Sequence, residues 1–180
     1  MDLSKLPPAM IAQLTGAVED YILSSRKKYM GNAVPLAPEQ LAAMQPFFPA
    51  EALGNCRIFV LRGQRIQDPA FYGMARLMGI RNLPSFADTA AVTFVDVIVS
   101  HEEFTDGLLF HELVHVVQYA KLGAKEFSSR YVNGFLKGGS YEEIPLEKNA
   151  YELESVFSKN KNGAFSVSEE VQSWIEAGKF

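Results

Sequence analysis

Hydrophobic positions at Met10, Ile11, Leu14, Val18, Tyr21 and Ile22 recur at helical spacing after Pro7-Pro8. They predict an amphipathic helix, closed by Arg26-Lys27-Lys28 at the negative end of its dipole. From Tyr29 to Asn55, Gly31, Pro35, Pro38, Pro46, Pro49 and Gly54 interrupt any longer period, so only short helical turns such as 38–44 are expected there. Arg57-Ile58-Phe59-Val60-Leu61 reads as a strand. Asp68-Pro69 offers an N-cap and first residue to a short helix ending at Gly79. A second strand is predicted over 91–100, with Val92, Phe94, Asp96 and Ile98 on one face and Thr93, Val95, Val97 and Val99 on the other.

The rest of the chain reads as helix. Thr105 is placed to cap a helix over 106–122, with Asp106 in its first turn and Gly123 to end it. Further helices are expected over 125–137, ahead of Gly138-Gly139, and over 145–159, with Pro145 first. The last, about 167–177, starts on the capping pattern Ser166-Val167-Ser168-Glu169. Two or three strands followed by a run of helices indicate an α+β fold, read as one domain over residues 1–180.

Composition narrows the classes. The chain is 48% hydrophobic and carries a formal charge of −4, which suits a soluble domain and lacks the basic face of a nucleic-acid binder. A single cysteine, Cys56, cannot form an internal disulfide, so stability needs no oxidising compartment. The stretch Met1 to Pro8 has neither the basic nor the apolar region of a signal peptide, and the apolar run 90–99, broken by Asp96, is far shorter than the roughly 20 residues of a membrane span. A cytoplasmic protein without membrane or nucleic-acid partners is the expectation, with export by an injection system, which would leave no recognisable N-terminal mark, as the alternative.

The chemistry concentrates in His111-Glu112-Leu113-Val114-His115. Histidines four residues apart share one helix face, so both imidazoles can bind one tetrahedral ion, and zinc takes neutral imidazole readily. Glu112, next to the first histidine, can reach a water beside the metal and act as general base. Chance gives this pattern in roughly 3 in 1,000 shuffled chains of the same composition. The competing structural reading is a buried helix with two hydrogen-bonded core histidines, since apolar residues surround both.

A catalytic zinc site needs a third protein ligand. The downstream Gly and His of a metzincin are absent, because Gln118 and Lys121 stand there. No histidine follows His115 and no aspartate follows Asp106, which leaves glutamate. Glu147 is the choice: it falls in the first turns of the helix that Pro145 starts, and Ala150 one turn on allows close packing. Glu143 and Glu154 are rivals, and Glu152, about 140° further round, faces elsewhere if Glu147 faces the metal.

With Glu147 on a later helix, His111-Glu112 and His115 resemble the gluzincin branch of the zincin metallopeptidases. More closely, Thr93-Phe94-Val95-Asp96-Val97-Ile98 and Leu109 to Gln118 are similar to the short metallopeptidase domain associated with extracellular contractile injection systems. That family usually has glycine where Val95 stands, and many gluzincins carry Asp where this chain has Tyr151. The resemblance implies a small mixed sheet whose edge strand borders the cleft, the motif helix beneath it and a mainly helical C-terminal part. It implies a Zn²⁺-dependent endopeptidase with His111, His115 and Glu147 as ligands, Glu112 as base and a peptide or protein substrate paired along the strand. Tyr141 is the candidate donor to the oxyanion. His101 could touch substrate or serve as a ligand, against a plain surface histidine beside Glu102 and Glu103. Cys56 could cap the zinc, against an inert buried thiol. The alternatives are a zinc-binding regulator, sensor or effector of the same shape without turnover, and a metal-free interaction module.

Overall fold

The computed structural model describes residues 6–160 and 163–180. Residues 1–5, which carry most of the N-terminal stretch read above, and residues 161–162 lie outside them. The chain folds as α+β in the order α1 Pro8–Met30, β1 Val34–Pro35, α2 Pro38–Met44, α3 Ala50–Asn55, β2 Arg57–Val60, α4 Tyr72–Leu77, β3 Ala91–Phe94, β4 Val97–Ser100, α5 Asp106–Gly138, α6 Pro145–Lys159 and α7 Val167–Glu176. Among the described residues no helix is long and apolar enough to cross a membrane.

The run over 91–100 is two strands, which corrects the single strand expected there. Val95 and Asp96 form a two-residue turn, and the pairs Val92↔Val99, Thr93↔Ile98 and Phe94↔Val97 make an antiparallel hairpin. Residues directly opposite share a face, so Val92, Phe94, Val97 and Val99 lie on one side, and Ala91, Thr93, Ile98 and Ser100 on the other. Val95 has φ 63° and is the only described non-glycine residue with positive φ. A type II′ turn assigns that first central position to glycine, which is why the β-branched Val95 carried no turn signal. Asp96 holds the turn against α1, its carboxylate accepting from Arg26 Nε at 2.5 Å and Nη2 at 2.8 Å.

The mixed sheet has the order β1-β2-β4-β3, parallel only between β2 and β4. β3 is therefore an edge strand. On one face Ile58, Ala91 and Ile98 pack against Leu109, Phe110, Leu113, Val114 and Val117 of α5. On the other, Phe94, Val97 and Val99 pack with Tyr29 and Tyr21 of α1.

The helices match expectation except in three places. Thr105 Oγ1 accepts from Leu108 N and Ser166 Oγ from Glu169 N, each at 3.2 Å, so both caps form as read. α5 runs to Gly138, but Gly123 within it has φ 72° and ψ 164°, so the two helices expected there meet at a kink. α4 starts only at Tyr72: Asp68 caps nothing, and its Oδ1 accepts from Phe86 N at 2.8 Å, closing a loop. The short α3 and β1 escaped the sequence reading, because a six-residue helix and a two-residue strand carry too few positions to show a period.

Candidate metal centre

Residues 109–119 of α5 are all buried, sandwiched between the sheet and α6. Two of them, His111 and His115, are 6% and 5% exposed, and Glu147 on α6 is 3% exposed. α6 can come this close because α5 offers glycine at the crossing. A Cβ on Gly134 would stand 2.6 Å from Pro145 Cδ, well inside van der Waals contact. Ala150 is fully buried in the same cluster as Leu113 and Val114, as its small side chain suggested.

Three donor atoms converge. His111 Nε2 and His115 Nε2 are 3.3 Å apart, and Glu147 Oε2 lies 3.5 Å from the first and 3.3 Å from the second. For donor distances of about 2.0–2.1 Å, a tetrahedral ion sets ligand–ligand edges of about 3.3–3.4 Å. The observed triangle is one face of such a tetrahedron. Glu147 Oε2 is buried and makes no hydrogen bond, a costly state that a cation would relieve. His111, His115 and Glu147 could therefore hold a metal ion.

The outer ring nitrogens fix which inner ones are free. Gln118, fully buried, donates from Nε2 to Leu146 O and Asn149 Oδ1, both at 3.0 Å. Its Oε1 then faces His115 Nδ1 at 2.9 Å, so Nδ1 carries the proton and Nε2 presents a lone pair inward. His111 Nδ1 lies 3.1 Å from Glu154 Oε2, and a carboxylate there requires an N–H likewise. Glu154 is thus no rival ligand: seven residues beyond Glu147, it shares that helix face and holds the far side of His111. A Cβ on Gly107 would stand 3.3 Å from Glu154 Oε1, so the glycine leaves it room. Tyr151 places its ring 4.5 Å from that of His111.

Electrostatics bind the cluster together. Burial opposes charging His111, but contacts with Glu147 and Glu154 and the field of Glu112 outweigh it and lift its pKa to about 10. His115 is raised as well, with burial opposing and Glu147 driving. For Glu147, burial works to raise the pKa, and the two histidines reverse this and hold it well below the usual carboxylate range. Without a metal, the centre therefore retains a proton among its three donors.

Glu112 is 5% exposed. Thr93 of the edge strand donates its hydroxyl to Glu112 Oε2 at 2.6 Å, with Glu112 O at 3.2 Å, tying the carboxylate to β3. A cavity beside the cluster is lined by Thr93, Glu112, His115, Tyr141 and Glu147 together with apolar residues of α1 and α4. Tyr141 thus borders the same cavity as Glu112 and Glu147. Burial and the carboxylates of Glu147 and Glu112 raise its pKa well above normal, keeping the hydroxyl a donor.

The remaining candidates lie elsewhere. Glu143 pairs with Lys148 at 2.5 Å, and Glu152 is exposed. His101 is neither a ligand nor a surface histidine beside the acidic pair. It is half-buried, its Nε2 accepting from Ile66 N at 2.9 Å and its Nδ1 meeting Thr89 O at 2.5 Å. Cys56 is fully buried in the apolar core, and burial pushes its thiol up to about 12; it is the inert thiol. Gln118 and Thr93 were missed as functional residues, and Glu154, read as a rival ligand, instead partners the outer nitrogen of His111. The seven-residue spacing of Glu154 from Glu147, which puts both on one face of α6, was the available signal for that role. The chain matches no protein-family model, no curated protein and no solved structure.

Proposed function

We propose that the chain is a zinc-dependent peptide-bond hydrolase of the gluzincin type, a metalloendopeptidase with a zincin-like fold. The observation that carries this reading is the near-equilateral triangle of His111 Nε2, His115 Nε2 and Glu147 Oε2 with Glu112 tied beside it. Two imidazoles and a carboxylate suit zinc and leave its fourth position open. Bound zinc would polarise a peptide carbonyl and acidify water.

The chain's own residues would do the rest. Glu112, with Oε2 held by Thr93, takes the proton of the attacking water on its other oxygen and passes it to the leaving amine. Tyr141 donates its hydroxyl to the oxyanion. The substrate lies along β3: His101 N bonds Ala90 O, and the alternation of an antiparallel ladder then turns the backbone N–H and C=O of Ala91 and Thr93 away from β4, toward an incoming strand. A purely structural metal site has no use for a base so placed.

Glu112→Gln tests this. It should retain zinc and lose cleavage of an unfolded protein substrate by at least about 100-fold; a variant that cleaves as fast as the parent sinks the mechanism. The second reading, a zinc-binding regulator, sensor or effector without turnover, draws on the burial of all three donors. It would show as full zinc occupancy in a parent that cleaves no peptide.

A further inference from the structure

The cavity beside the cluster has a volume of about 100 Å³. Its polar side is the catalytic floor of Thr93, Glu112, His115 and Glu147, and its walls are mainly apolar and aromatic, including Val18, Tyr72 and Phe86. Tyr131, from the second half of α5, also lines it. The Tyr131 hydroxyl is buried and has no hydrogen-bond partner, the one side-chain hydroxyl among the described residues in that state. By contrast, Tyr21 on the same wall donates to Gln67 O at 3.1 Å.

A buried hydroxyl without a partner is unfavourable, and one that borders a cavity is satisfied when a ligand brings a polar atom to it. Size sets the rest of the ligand. An apolar cavity of about 150 Å³ accommodates benzene, so this one of about 100 Å³ takes a single ring only with the ring's stem side lying in the opening, and an indole overfills it. An acidic side chain would meet the carboxylates of Glu112 and Glu147. Glycine would leave the aromatic walls empty.

We propose that this cavity is the substrate's side-chain pocket and takes a single-ring side chain with a hydrogen-bonding tip, tyrosine ahead of phenylalanine, the tip bonding the Tyr131 hydroxyl. The proposal rests on the metallopeptidase reading and adds the substrate class to it.

The test uses the zinc-loaded full chain and N-acetyl amino-acid hydroxamates of glycine, leucine, phenylalanine, tyrosine, tryptophan and aspartate, with binding read by calorimetry. The hydroxamate group engages the metal whatever the side chain, so the glycine compound reports on the metal alone. Tyrosine should bind about 100-fold tighter than glycine and about 10-fold tighter than phenylalanine. Tyr131→Phe should erase the tyrosine preference while leaving zinc content and glycine binding unchanged. Val18→Trp, which fills the cavity, should bring tyrosine down to the level of glycine. A zinc-loaded protein that binds all side chains alike, or a tyrosine preference that survives Tyr131→Phe, overturns the pocket alone. A protein that takes up no zinc overturns the metal reading and the pocket with it.

Discussion

Gln118 is where the account is most exposed to a single substitution. Its amide orientation follows from donating to Leu146 O and Asn149 Oδ1, and that orientation makes His115 present Nε2 toward His111 and Glu147, where a metal ion could be held. Gln118→Leu keeps most of the volume but removes the acceptor at Nδ1 and the donor to a buried carbonyl. Loss of such an outer partner weakens metal binding by about 10–100-fold. Leu146 O keeps its donor within α6, but the fully buried Asn149 Oδ1 loses Gln118 Nε2, which costs about 1–3 kcal/mol, or about 2–12 °C in the Tm of a chain this long. Gln118→Glu separates the two effects: a carboxylate still accepts from His115 Nδ1 but cannot donate to Leu146 O or Asn149. It should be as destabilised as the leucine variant yet hold zinc more tightly. Competition with a chromophoric chelator gives the affinities, and thermal unfolding of the metal-free forms gives the stabilities. A leucine variant that binds zinc as tightly as the parent would refute the tautomer argument.

Thr93→Val should lower cleavage by about 10–100-fold at unchanged zinc content, since Glu112 loses the hydroxyl that aims it; elemental analysis beside a protease assay checks both. Zinc must displace the proton held by His111, whose pKa is lifted to about 10, so affinity should climb as pH rises from about 6.5 toward 10 and binding near neutrality should release protons, measurable by calorimetry in buffers of different ionisation heat. In the metal-free protein the same raised pKa contributes stability that is full below about pH 6.5 and lost as pH rises through about 10. The depressed pKa of Glu147 contributes stability present above its ordinary value near 4.5 and lost in stronger acid. Val95→Gly should raise Tm by about 2–4 °C, because relief of a β-branched residue at φ 63° is worth about 1 kcal/mol. Gly134→Ala should do the reverse and weaken zinc binding too, by pushing away the start of α6 and Glu147 with it.

What the sequence disclosed was what local spacing encodes. The period-four histidines, the proline that starts α6 and the caps at Thr105 and Ser166 depend on neighbours in the chain, and each formed where it was read. Elimination gave only the residue type, because no histidine and no aspartate lies downstream of the motif, and the helix that Pro145 starts, with Ala150 one turn on, singled out Glu147 among the glutamates. The hairpin at Val95 was hidden, since its turn conformation is imposed on a strand-forming residue by surrounding contacts such as Arg26–Asp96. The outer partners of the histidines were hidden for a related reason. Gln118 was legible only as the absence of a metzincin glycine, and its role depends on α6, 28 and 31 residues away. Asp68 and His101 show the same limit: each closes a loop by a contact with distant backbone, which no local pattern announces.

The proposed function stands on three convergent donor atoms, two from α5 and one from α6, holding one zinc ion. Elemental mass spectrometry of protein purified without chelators, beside Glu147→Ala, tests it most directly. The parent should carry one zinc per chain, and the variant should clearly lose it. A parent that is empty and takes up no added zinc would contradict it, and would leave His111 and His115 as core residues of a metal-free interaction module.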